Sequence, residues 1–239
     1  MSLSIIIPCR DEENSIVNTV NYFQNYLKKI KFEIIIINDF SSDSTLKKLR
    51  FLRKKFSNVI YKNNLKKGLG GAIQLGILTS KHKYICITMA DKADFVTDLT
   101  KYYNLISSEK YHAIFGSRFI RGSRLINYPM LKLIYNRIFN YLISLLFLVK
   151  YNDFTNAFKI YKKNVLLEIF PIVSENFNVF LELPLKVIYR DYTYKIIPIG
   201  WINRKEGRSK FKIKELSSRY FFTLGYCWLE NLLLHKKKP

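Results

Sequence analysis

The sequence predicts an α/β fold, a mostly parallel sheet flanked by helices, and three observations carry that reading. Short β-branched runs alternate with segments of helical apolar spacing through the first half of the chain. Single helices separate successive strands, which calls for right-handed crossovers and parallel pairing. The acidic and basic residues of interest cluster just after the predicted strands, where open parallel sheets bind their ligands.

Taken in order, residues 3–7 form a β-branched strand closed by Pro8, and 11–27 a helix with Ile16, Val17, Val20, Phe23 and Leu27 at helical spacing. Residues 32–37, ending in four isoleucines, form a buried strand, 44–56 a basic amphipathic helix and 59–61 a short strand. A helix opened by glycines spans 68–80, a strand over 84–89 runs into Asp91, and a helix over 98–107 precedes a strand over 113–116. The second half is less regular. It reads as a long amphipathic helix over 130–149, a loop and strand over 153–161, and a helix over 165–170. A helix over 177–190, kinked or started near Pro184, a strand over 194–198, a basic loop over 201–210 and a final helix from 212 complete it. No Pro/Gly/Ser-rich linker interrupts the chain, so it reads as one domain over 1–239 with a C-terminal helical extension over about 212–239.

Hydrophobic residues make up 49% of the 239, enough for a sizeable core and against disorder. Forty Lys and Arg against eighteen Asp and Glu give a net charge of +22. That excess favours a polyanionic partner, whether nucleic acid, an anionic membrane or a phosphate-bearing substrate; a Lys-rich surface without a partner explains it equally. A nucleic-acid module shows a basic stripe with exposed aromatics. Here Phe and Tyr follow core periodicities and the acids gather at strand ends, so nucleic acid is not the expected partner. Cys9, Cys86 and Cys227 are widely spaced in apolar sequence and read as reduced core residues of a cytosolic protein. The N-terminus is a strand and not a signal peptide, having no basic leader. No stretch is long and apolar enough to span a bilayer. Residues 141–149 and 220–234 suit a membrane interface, and the first suits a buried core helix equally well.

Asp39 follows the four isoleucines and suits hydrogen bonds from a base or ribose; Ser42, Asp43 and Ser44 suit the helix cap that follows. Asp91 and Asp94, after the strand over 84–89, can hold a Mg²⁺ or Mn²⁺ ion that bridges a diphosphate. The glycines of KGLGG at 67–71 lack the phosphate-loop and dinucleotide spacings, and close helix–sheet packing explains them as well. Arg204, Arg208 and Lys210 of the loop WINRKEGRSKF either clamp phosphate oxygens or form a solvated surface.

Seven stretches together carry more: SIIIPCRDEENSI, IIIINDFSSDST, KKGLGGAIQLGI, ICITMADKAD, FGSRFIRGS, DFTNAFKIY and NRKEGRSKF. In this order, from Ser4 to about Glu230, the chain resembles the family 2 glycosyltransferases. GSRF, DFTNAFKIY and the RxxGxSK pattern are similar to the polyprenyl-phosphate branch, that of the dolichol-phosphate mannose synthases. The resemblance implies a glycosyltransferase A-type fold, a nucleotide-binding sheet with C-terminal amphipathic helices. Pro8, Asp11 and Glu12 would border the base and ribose, and Asp39 would contact the base. The family's DxD motif reads Met89-Ala90-Asp91, so Asp91 would be its second acid, on the metal and diphosphate, with Asp94 replacing the acid missing at Met89. Arg118 would lie on the sugar and phosphate side, Asp153 would orient the active-site loop, and Arg204 and Lys210 would hold phosphates.

The implied reaction is an inverting, metal-dependent transfer from a GDP- or UDP-sugar to a polyprenyl (dolichyl-type) phosphate. An acceptor phosphate, with its second pKa about 6, is largely ionised and needs no strong base. This agrees with His82, His112 and His235 lying outside every motif. The alternative is transfer to a sugar hydroxyl in cell-surface polysaccharide synthesis, with Asp153 as base; Met89 also leaves open an inactive membrane-associated subunit. Arg121, Arg124, Lys132 and Arg137 before 141–149, and the lysines at 236–238, predict a peripheral protein on the cytosolic face of an anionic membrane.

Overall fold

The computed structural model describes residues 2–203 and 213–235. Its first half alternates β1 (Ser2–Cys9), α1 (Ile16–Tyr26), β2 (Lys31–Asn38), α2 (Thr45–Lys55), β3 (Val59–Asn63), α3 (Leu69–Thr79), β4 (Tyr84–Ile87), α4 (Val96–Ser107) and β5 (Ala113–Ser117). There follow β6 (Arg124–Ile126), α5 (Met130–Leu146), β7 (Lys159–Lys162), α6 (Lys163–Glu168), α7 (Val179–Tyr189), β8 (Tyr194–Pro198), β9 (Gly200–Ile202) and α8 (Ile213–His235).

Seven strands form one sheet in the order β3-β2-β1-β4-β7-β5-β8, and β6 pairs with β9 beside it. Only β7 runs antiparallel to its sheet neighbours. The sheet is therefore mostly parallel, as the sequence predicts. The isoleucine runs are continuous because helices cover both faces. Ile5, Ile7, Ile34 and Ile36 point into a cluster with Phe23 of α1 and Leu99 of α4, while Ile6 points to the other face against Ile73 and Ile77 of α3. Each such side chain, fully buried, contributes roughly 1.5–3 kcal/mol. Gly76 lets α3 lie close on β1: a Cβ there would stand 2.5 Å from Ile6 Cγ2.

The topology brings the carboxyl ends of β1, β2, β4, β5 and β8, and the start of β7, to one edge of the sheet. Of the candidate residues that the structure describes, Pro8 lies near the end of β1, Asp153 precedes β7, and the others follow one of those strand ends.

Some expectations are corrected. The helix expected from Asp11 begins at Ile16, because Asp11 takes a left-handed conformation at φ 47° and residues 10–15 form a loop tied to the start of α2. Helix α7 passes through Pro184 and does not start there. Trp201, expected in a loop, belongs to β9; β6 and β9 were not expected at all. The region 141–149 is not a buried core helix: Ile143 and Phe147 turn inward, while Tyr141, Leu142, Leu145, Leu146 and Leu148 are each more than half exposed. Helix α8 packs against α5 through an edge-to-face contact of Phe139 and Tyr220, with ring centroids 5.3 Å apart. It too presents apolar residues outward, among them Phe221, Phe222 and Leu229. The three cysteines are buried, and none of them forms a disulfide among the described residues.

Candidate active site

Two loops meet where β1 and β2 end. The Asp11 amide donates to Ser41 Oγ (3.0 Å), and Asp11 Oδ1 accepts from the Ser42 amide at 2.7 Å. The Glu12 amide donates to Thr45 Oγ1 (2.8 Å), and Glu12 Oε2 accepts from Ser15 Oγ (2.6 Å). Acids serve the exposed N-terminus of α2: Asp43 Oδ1 accepts from the Thr45 amide at 2.9 Å and Glu13 Oε2 from the Ser44 amide at 2.8 Å. Ser44 is the cap residue by position, yet its hydroxyl makes no cap bond. Pro8 is buried in β1, in register with Ile37.

Asp39 lies beside this seam. Its amide donates to Cys9 O (2.8 Å), which ties the ends of β1 and β2 together. Asp39 Oδ1 accepts from the Gly68 amide and from Asn64 Nδ2, both at 2.8 Å. Both bonds fall on one oxygen, and Oδ2 has no partner among the described residues. A carboxylate oxygen at a strand end, with its twin held fixed, can accept from a base or ribose.

Beyond β4, Thr19 Oγ1 of α1 donates to Ala90 O (2.7 Å) and fixes the following turn. Asp91 Oδ1 accepts from the Ala93 amide (3.2 Å). Asp94 is buried, and its Oδ2 accepts from Thr88 Oγ1 at 2.8 Å. Burial, helped by the neighbouring Asp91 charge, pushes the Asp94 carboxyl up to about 7. Met89 packs against the core, so the position of the missing acid is filled by an apolar side chain turned inward. Among the described residues no three His, Cys, Asp or Glu side chains form a ready metal cage. The donor set instead fits an ion that arrives on a diphosphate. Mg²⁺ takes one or two carboxylates from a protein and the rest of its ligands from phosphates and water.

Where β5 ends, Arg118 and Asp153 form a buried bidentate pair. Arg118 Nε donates to Asp153 Oδ2 (2.9 Å), Nη2 to Oδ1 (2.7 Å), and the Arg118 amide also to Oδ2 (2.8 Å). Burial pulls the Arg118 pKa down, but the facing carboxylate outweighs it and the net shift is upward. Helix α5 is stapled to the same loop: Asn140 Oδ1 accepts from the Phe154 amide (2.6 Å), and Arg137 Nη1 donates to Phe119 O (3.2 Å). Lys159, not singled out from the sequence, stands beside this pair. Its buried Nζ donates to Phe154 O (3.1 Å) and to Asn156 O, folding the loop after Asp153. Burial lowers its pKa to about 7. The available signal was a lysine that interrupts the apolar stretch over 157–161. Tyr128 and Trp201 were missed as well. Their rings lie 4.7 Å apart, with Arg118 over the first and Lys132 over both.

Arg204, Arg208 and Lys210 lie outside the described residues. The chain reaches them from Ile202, whose amide donates to Ala93 O (3.0 Å), and Asn203, whose amide donates to Ile126 O (3.0 Å), beside the Asp91–Asp94 turn.

A profile described as glycosyl transferase family 2 matches residues 4–170. Dolichol-phosphate mannosyltransferase of Pyrococcus furiosus is 25% identical over 220 residues, covering 90% of this chain and 61% of its own. Dolichyl-phosphate beta-glucosyltransferase of Saccharomyces cerevisiae is 26% identical over 223 residues, covering 83% of this chain and 66% of its own. The chain thus spans less than two thirds of the length of either relative. Among solved structures, glucosyl-3-phosphoglycerate synthase from Mycobacterium tuberculosis in complex with uridine-diphosphate superposes with a TM-score of 0.70 at 14% identity, over 95% of this chain and 79% of that one. The same enzyme with Mn²⁺, uridine-diphosphate and glucosyl-3-phosphoglycerate gives 0.71 at 14% identity, with the same coverage. Staphylococcus aureus TarS in complex with UDP-GlcNAc gives 0.66 at 16% identity, over 96% of this chain and 66% of that one. At such identities these structures share the fold with this chain.

Proposed function

Because the chain belongs to glycosyl transferase family 2, we propose that it transfers a sugar from a nucleoside-diphosphate sugar to a polyprenyl phosphate, with inversion at the anomeric carbon. The observation that carries the lipid-linked acceptor is the apolar outer face of α5, with Leu131, Ile138, Tyr141, Leu142 and Leu145 each more than half exposed. The same helix is stapled to the Arg118–Asp153 loop through Asn140 and Arg137. A phosphate bound at that loop leaves its isoprenoid tail beside a helix face suited to a bilayer. The names of the two curated relatives agree with this acceptor class.

The donor, a GDP- or UDP-sugar, lies along the edge where β1, β2 and β4 end. Asp39 Oδ2 accepts from the base, and Pro8, Asp11 and Glu12 border base and ribose. Ala90 and Asp91 face the diphosphate, with Asp94 behind Asp91. A divalent ion, Mg²⁺ or Mn²⁺, supplies neutralisation of the charge that builds on the diphosphate. Arg118 adds fixed positive charge beside the phosphates, and Arg204 and Lys210 are the further cations that this reading assigns to them. An oxygen of the acceptor phosphate forms the new bond to the anomeric carbon, and the bond to the nucleoside diphosphate breaks on the opposite face, its electron pair leaving with the diphosphate. No proton has to be removed from an ionised acceptor.

That last point separates this reading from transfer to a sugar hydroxyl, which needs a base. Asp153, the candidate for that role, is wholly buried and has both oxygens engaged by Arg118. Its place is to hold the arginine and the loop. Among the described residues no helix is long and apolar enough to cross a membrane; in this reading the exposed apolar face of α5 and the basic residues beside it hold the protein peripherally, on the cytosolic face. The test is transfer of radiolabelled sugar from GDP- and UDP-sugars to polyprenyl phosphate in vesicles, against free oligosaccharide acceptors. Label extracted with the lipid is the expected result; label found only on the oligosaccharides overturns the assignment.

A further inference from the structure

Helix α7 carries two wholly buried charges that the proposed reaction does not use. Glu182 and Lys186, one turn apart, pair at 3.0 Å between Oε1 and Nζ. Taking two such groups out of water costs several kcal/mol per ion unless hydrogen bonds satisfy them. Glu182 spends its oxygens on the backbone of a neighbouring segment. Its Oε1 accepts from the Val173 amide at 2.9 Å and its Oε2 from the Ser174 amide at 2.8 Å. Lys186 donates to Pro171 O of the same segment.

That segment is the shelf on which the first turn of α3 rests. The Gly70 amide donates to Glu175 O (2.9 Å), and Gln74 Nε2 donates to Ile172 O (3.0 Å). The contact is tight enough to require glycine. A Cβ on Gly70 would lie 1.7 Å from Ser174 O, and one on Gly68 2.6 Å from Glu175 O. Gly68 in turn donates its amide to Asp39 Oδ1 (2.8 Å). A continuous set of contacts therefore runs from the buried Glu182–Lys186 pair, through the carbonyls of Ser174 and Glu175 and the amide of Gly68, to the carboxylate at the end of β2.

We propose that Glu182 is a positioning residue for the nucleotide donor: it fixes the shelf that sets the Gly68 amide, and so aims Asp39 Oδ2 at the base. The inference rests on the donor reading given above. It also assigns the GLGG glycines a purpose, which is to seat α3 on backbone carbonyls so closely that the shelf and the Asp39 anchor move together.

The experiment is calorimetric titration of the full chain with UDP and with GDP in the presence of Mn²⁺. Four forms are compared: wild type, Glu182→Gln, Gln74→Ala and Asp39→Asn, with both of the first two substitutions repeated in the Asp39→Asn background. Losing a charge-assisted hydrogen bond of the shelf in Glu182→Gln should weaken nucleotide binding about tenfold, and losing the neutral bond of Gln74 severalfold. In the Asp39→Asn background the same substitutions should add little further loss, because they act through Asp39. A residue that only stabilised the fold would lower the unfolding midpoint without this dependence on Asp39. Gln74→Ala removes a partly exposed tether, so it carries the test if Glu182→Gln fails to fold. Binding by these variants equal to wild type, or losses fully additive with Asp39→Asn, overturns the inference alone. A wild-type chain that binds neither nucleotide overturns the donor reading, and this inference with it.

Discussion

Arg118 and Asp153 meet end to end across the loop after β5, Nη2 to Oδ1 at 2.7 Å and Nε to Oδ2 at 2.9 Å, with both side chains nearly closed to solvent. Removing one partner strands a buried charge, which costs about 3–5 kcal/mol, whereas removing both does not. Arg118→Met and Asp153→Asn should therefore each lower the urea midpoint sharply, and the double variant should recover most of the loss. All three should lack transfer activity, since the cation is gone or the loop that carries it is displaced. Additive losses of stability in the double variant would mean the pair is not a coupled unit.

Asp91, the acid of the Met-Ala-Asp turn, is the residue proposed to face the diphosphate, while Asp94 is turned inward onto Thr88. Asp91→Asn is expected to abolish transfer in a chain that still unfolds cooperatively near the wild-type midpoint. Asp94→Asn should reduce activity less and raise the Mn²⁺ concentration needed for half-maximal rate. Full activity of Asp91→Asn in excess chelator would remove the ion from the mechanism.

The sheet, and the edge on which the candidate residues gather, were legible in the sequence, because strands buried on both faces read as unbroken β-branched runs and Asp39 and Asp91 come shortly after two of them. The pair β6 and β9 was not, since each strand has three residues and Arg124 pairs with Gly200, far away in sequence. Buried ions such as Lys159 and Glu182 were illegible for the same reason. A charged residue in apolar sequence announces that it needs partners but not where they are, and those of Glu182 are backbone amides of the preceding loop. Helix α5 was ambiguous because its sequence is apolar around much of its girth. Only the packed structure shows that Ile143 faces the core and Leu142 does not.

At the opposite edge of the sheet, Glu109 lies between Lys83 and Lys162, each 2.8 Å from one carboxylate oxygen. Hydrogen bonds from Lys162 and then Lys83 hold its carboxyl down to about 2, against an ordinary value of 4.5. A lowered pKa in the folded state means stabilisation present above pH 4.5 and lost as pH falls towards 2. The group is 40% exposed, so solvent screens it and the contribution is below about 1 kcal/mol. Glu109→Gln should lower the unfolding midpoint slightly at neutral pH, and the gap to wild type should narrow between pH 4.5 and 2 and in high salt. A gap independent of both pH and salt would assign the loss to packing.

The proposed acceptor would tie the protein to lipid through the apolar outer faces of α5 and α8. Residues 130–150 contain no acid, and Lys132, Arg137 and Lys150 stand among the apolar side chains. Helix α8, joined to α5 at Phe139–Tyr220, adds Phe221, Phe222 and Leu229. Basic residues near an anionic surface contribute on the order of 1 kcal/mol each, and apolar side chains that enter the headgroup region add insertion energy. The protein should float with anionic vesicles at low salt, float less with neutral ones, and be partly released by salt. Leu142→Glu and Phe222→Glu each place a carboxylate on an exposed apolar position, so each should reduce flotation and transfer to vesicle-borne acceptor. Leu142 stands on the exposed outer face of α5, so titration with UDP or GDP should be unchanged in Leu142→Glu. If the folded wild type stays at the bottom of the gradient with both lipids at low salt, these faces have another purpose, and a water-soluble acceptor becomes the better assignment.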